Sequence, residues 1–154
     1  MIAVTYSSAI RAPRAWGTVP ARVGLIVVVL AGIAVGWLAT GDVARSHAVA
    51  AAGPELTRLL RAMAAIKSLM SLAAVAAVLW RLGAPVGLPW LAGYAAAAAA
   101  MAAGPGLIWN MAYVGTGALA LHGGLLMSIV LLWRDPAMAA RLGEAVAARR
   151  RVLH

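Results

Sequence analysis

The chain has 154 residues, 64% of them apolar and only 11% charged, with a mean hydropathy of +0.92. Soluble domains run at roughly 45–50% apolar and about 25% charged, so a water-soluble core of this size cannot absorb the surplus and lipid must. The net charge of +9 comes from 13 Lys and Arg against 4 Asp and Glu. The arginines flank apolar runs, a pattern of topology signals and anionic-lipid contact that argues against nucleic acid. With no cysteine, the chain supplies no disulfide, thiolate zinc site or iron–sulfur ligand.

Residues 1–22 form a basic lead-in carrying Arg11, Arg14 and Arg22, punctuated by Pro13 and Pro20. It is expected to lie loose or along the membrane surface. The first span is predicted over about 23–40, around the run Leu25 to Leu30. Ala48-Val49-Ala50 resembles a signal-cleavage site, but the apolar stretch exceeds the usual 7–15 residues of a signal, so retention is expected. Residues 41–57 read as the one sizeable loop, and Pro54-Glu55 as the start of the next helix: proline in the first turn, acid near the positive end of the dipole. Glu55 is placed to pair with Arg58 across one turn.

The second span is predicted over about 59–80. The third, about 88–103, contains six consecutive alanines from Ala95 to Ala100 and is expected to stop at Gly104-Pro105-Gly106. So small a surface suits a central helix, covered by its neighbours. The fourth span is placed over about 107–133. Asp135-Pro136 then supplies an N-cap and first-turn proline for a basic tail helix, 135–154, ending in Arg149-Arg150-Arg151.

Trp37, Trp80, Trp90, Trp109 and Trp133 sit at the ends of these runs, and Trp16 just before the first, as tryptophan does at a bilayer boundary. The expected class is thus an all-α integral membrane protein: four transmembrane helices over 23–134 with short loops. Nine arginines fall on the side of the termini and three (Arg45, Arg58, Arg61) on the other. The positive-inside rule therefore predicts both termini in the cytoplasm. Heavy use of Ala, Gly and Arg with no Phe suggests a bacterial gene, hence the inner membrane.

Close packing is expected at Gly32 and Gly36, and along a stripe Asn110, Tyr113, Gly117, Leu121, Gly124 and Ser128. Lys67 is the chain's one lysine and falls inside the second span with no Asp or Glu in any apolar stretch. An ionisable group there costs about 2.5–3.5 kcal/mol on insertion scales. It either snorkels, loses its proton, leans on Asn110, Tyr113 or freed carbonyls, or meets an anion from a ligand or partner. Ser71, one turn on, extends the polar spot. His122, in the fourth span with Gly123 and Gly124 beside it, is either a helix-to-helix hydrogen bond or a cofactor ligand. Haem b would need a second axial ligand; His47 and His154 lie outside the spans, leaving Met63, Met70, Met101 or a second copy's His122. Arg58 and Arg61, like Arg149, Arg150 and Arg151, are candidates for anionic headgroups. No metal-ligand spacing, phosphate loop or catalytic triad is present.

Three functions fit these residues. The leading expectation is a non-catalytic accessory subunit of a larger bacterial inner-membrane complex, with the bilayer and partner subunits, or further copies, as its contacts. The alternatives are a haem- or quinone-binding protein using His122, and a small oligomeric transporter with Lys67 in the path.

Overall fold

The computed structural model describes residues 15–140, 142 and 143. Four helices long and apolar enough to cross a membrane dominate it: α1 (Thr18–Leu38), α2 (Asp42–Arg81), α3 (Leu88–Trp109) and α4 (Val114–Arg134). Two-residue strands β1 (Ala15–Trp16) and β2 (Val86–Gly87) pair antiparallel, Ala15 with Gly87 and Trp16 with Val86. This ribbon ties the start of α1 to the start of α3 and defines one end of the bundle. Trp90 and Trp109 mark the two ends of α3, about 28 Å apart for nineteen residues at 1.5 Å each. That matches a hydrocarbon core of about 30 Å.

Unlike in a soluble domain, large apolar side chains cover the outside of the bundle as well as its core. Helix α1 buries Ala21, Leu25, Gly32 and Gly36, while Ile26, Val27, Leu30, Val35 and Leu38 stay exposed. Without a hydrophobic drive between helices in lipid, close backbone approach holds the bundle. A Cβ on Gly32 would sit 2.7 Å from the Ala99 carbonyl oxygen, and one on Gly36 would be tighter still against Ala103. On the other side of α3, a Cβ on Gly124 would meet the Ala97 carbonyl at 2.6 Å, and one on Gly117 the Gly104 carbonyl at 2.7 Å. Helix α3 packs against all three others and is the central helix, as its alanines suggest.

Four expectations need correcting. Residues 42–52 are helical, not a loop: five of the eleven are alanine, and Asp42 lies in the first turn. The break falls at Gly53, whose φ of 78° and ψ of 168° only glycine tolerates readily, and the next helical segment follows from Pro54.

Gly104-Pro105-Gly106 does not end the third span; α3 runs through it to Trp109. Proline removes the hydrogen bond to the carbonyl four residues back, here that of Met101. Ser71 Oγ on α2 donates to that same oxygen at 3.0 Å. The two glycines lie against the backbones of α4 (Gly104) and α1 (Gly106). Local helix-breakers are thus satisfied by neighbouring helices, as bilayer physics requires.

The fourth helix accordingly starts at Val114, after a turn in which Met111 takes a positive φ of 66°. Asn110 and Tyr113 therefore precede α4, and its buried stripe is Gly117, Leu121, Gly124 and Ser128. The beginning of α1 likewise lies earlier than expected, with Pro20 accommodated in the first turn.

Candidate functional site

Lys67 and His122 meet. Lys67 on α2 lies fourteen residues from Arg81, about 21 Å from the ribbon end; His122 on α4 lies thirteen residues from Asp135, about 20 Å. At that shared depth Lys67 Nζ is 3.2 Å from His122 Nε2, and His122 Nδ1 is 2.7 Å from the Ala118 carbonyl oxygen. A carbonyl only accepts, so Nδ1 carries a proton and Nε2 is the ring nitrogen that faces Lys67. The pair faces outward, His122 exposed and Lys67 half-buried, and among the described residues no carboxylate lies within ion-pair distance of Lys67.

Both ring nitrogens of His122 are engaged, so binding iron there requires Lys67 to leave Nε2. Of the methionines considered as a second ligand, Met101 is fully buried in the helix core. Among the described residues no three His, Asp or Glu side chains group to hold a metal.

The other polar residues singled out in the sequence do different work. Ser71 is buried on the Met101 carbonyl and takes no part in the Lys67 pair. Asn110 is fully buried at the C-cap of α3 and donates Nδ2 to the carbonyls of Gly36 (3.2 Å) and Trp37 (3.1 Å). These belong to the last turn of α1, where carbonyls lack intrahelical donors. Tyr113 is exposed before α4.

Arg61 stacks over Trp109, its Cζ 5.5 Å from the ring centroid, and Trp109 lies 5.9 Å from Trp37. The expected Glu55–Arg58 pair does not form: the ion pairs among the described residues are Arg45–Asp42 and Arg81–Asp135. Two water-exposed side chains gain little by pairing. Arg149, Arg150 and Arg151 lie outside the described residues.

One cluster went unseen in the sequence. At the ribbon end Arg81 and Asp135, each 3% exposed, form a two-pronged ion pair, Nε to Oδ2 and Nη2 to Oδ1 at 3.1 Å. The Tyr94 hydroxyl donates to Oδ2 at 3.0 Å, and the Ala137 N–H to Oδ1 at 3.0 Å. Burial alone would push the Asp135 carboxyl up; hydrogen bonds from Arg81 and Tyr94, the Arg81 charge and the Ala137 amide outweigh it and hold it below the usual carboxylate value. Asp135 thus locks α2, α3 and α4 together while capping the 136–140 helix. The available signal was topological: an even number of crossings puts residues 81 and 135 at one face.

No known protein-family model, curated protein or solved structure matches this chain.

Proposed function

We propose that the chain is a non-catalytic subunit of a larger bacterial inner-membrane assembly, with both termini in the cytoplasm. The observation that carries this reading is the outward-facing Lys67–His122 pair. A cation left against hydrocarbon is costly, and no group of this chain among the described residues neutralises it. A partner helix bearing a carboxylate at the same depth would remove that cost and fix the register of the contact. The scarcity of extramembrane structure among the described residues fits a part that acts by contact. The excess of arginine on the side of the termini supports the orientation.

A transporter reading draws less support, since the pair sits on the outer surface of the bundle and not between helices that enclose a path. A haem reading is weakened because Lys67 stands against His122 Nε2.

The test is the mass of the particle extracted from its native membrane in mild detergent. Other polypeptides are expected in stoichiometric amounts. A particle made only of this chain, in one copy or several, overturns the proposal.

A further inference from the structure

Helices α1 and α2 touch at the ribbon end, where Arg22 Nε donates to the Leu79 carbonyl at 3.2 Å and Ala21 and Leu25 share a buried cluster with Val75, Val78 and Leu82. Toward the opposite end they part, with α3 as the floor between them. The resulting cleft measures about 530 Å³ and is walled by Val29, Ile33, Leu72, Val75, Pro105 and Trp109, among others. It follows the bundle axis for about 12 Å along α1 (Val29 to Trp37) and about 16 Å along α2 (Ala64 to Val75). A volume in the range of ordinary ligand pockets, about 300–1,000 Å³, with an almost wholly apolar lining, suits a flexible hydrocarbon.

The mouth is different in kind. Trp37 and Trp109 close it at the interfacial level, and Arg61 lies across Trp109, one turn from the lining residues Ala64 and Ala65. Arg61 Nε is shielded from solvent and has no hydrogen-bond partner among the described residues, nor is any carboxylate paired with Arg61 there. A guanidinium with no carboxylate partner above an apolar slot is complementary to a phosphodiester carrying an aliphatic tail.

We propose that this cleft binds an anionic phospholipid, one acyl chain between α1 and α2 and the phosphate against Arg61. The inference is independent of the assembly reading, which rests on Lys67 and His122, neither of which lines the cleft.

The experiment is native mass spectrometry of the delipidated full chain titrated with equimolar dioleoyl phosphatidylglycerol and dioleoyl phosphatidylethanolamine. Wild type is expected to retain the anionic lipid roughly fivefold over the zwitterionic one, the equivalent of about 1 kcal/mol for one basic residue. Arg61→Gln is expected to keep lipid binding but lose that preference. Ala65→Phe and, separately, Leu72→Trp fill the slot and are expected to reduce retention of both lipids. Equal retention of the two lipids by wild type, or a preference that survives in Arg61→Gln, overturns the headgroup assignment. Undiminished binding by helical, monodisperse Ala65→Phe or Leu72→Trp protein overturns the chain assignment.

Discussion

Pro105 and Ser71 should behave as a coupled pair, and their coupling is measurable. Proline at position 105 leaves the Met101 carbonyl without its helical donor, and the Ser71 hydroxyl supplies one from α2 at 3.0 Å in a buried position. Ser71→Ala therefore strands a buried acceptor. Stranding one costs about 1–3 kcal/mol in general, whereas hydrogen bonds between membrane helices average about 0.6 kcal/mol and reach about 1.7. We expect about 1 kcal/mol, near the upper membrane values, because the carbonyl has no intrahelical alternative. In a Pro105→Ala background the new N–H can complete the helix, and the same Ser71→Ala substitution should then cost only a few tenths. Unfolding by sodium dodecyl sulfate in mixed micelles, followed by far-ultraviolet circular dichroism, gives all four corners of the cycle. Additivity, with Ser71→Ala equally costly in both backgrounds, would show that α3 runs through Pro105 for some other reason.

Asp135→Leu should destabilise the bundle by about 3 kcal/mol, the low end for breaking a buried ion pair, because it strands the Arg81 guanidinium; the same micelle titration reads it. Since the folded-state carboxyl of Asp135 is held below its ordinary value of 3.8, its contribution is complete above that pH and drains away as pH falls through the lower folded value. Asp135→Asn should correspondingly flatten the acid limb of a stability–pH curve, and an unchanged limb would refute the pairing. The Cβ of Gly36→Leu meets the backbone of Ala103, whereas the Cβ of Gly24→Leu meets nothing within 4 Å. The first should cost about 1–3 kcal/mol as overpacking does and the second stay within about 0.5; equal losses would contradict the close approach of α1 and α3. Lys67→Met removes a charge that costs about 2.5–3.5 kcal/mol on insertion scales. The isolated chain should tolerate it while co-purification of partner polypeptides falls, and unaltered co-purification would separate Lys67 from assembly.

What the sequence disclosed was periodic or compositional: apolar length, terminal tryptophans, the Gly32 and Gly36 seat, the smooth alanine helix, the cap at Asp135. What it concealed depends on a neighbour. Gly104-Pro105-Gly106 reads as a stop because local propensity is blind to Ser71 on another helix. Lys67 and His122 stand 55 positions apart, and only the relative depth of α2 and α4 makes them partners. Asn110 looks like part of a helix stripe, yet its role follows from where α1 ends. The 42–52 segment misled for a simpler reason: the polar residues Asp42, Arg45, His47 and Glu55 suggested a loop over 41–57, although its alanines favour helix.

The seating of α1 on α3 has a consequence for biogenesis. Chains emerge amino terminus first, so Gly32 and Gly36 enter the bilayer well before Ala99 and Ala103, the residues they press against, have been translated. Through that interval the nascent protein presents a bare glycine groove to every other helix nearby. Its fidelity then depends on how quickly the ribosome delivers sixty-odd further residues.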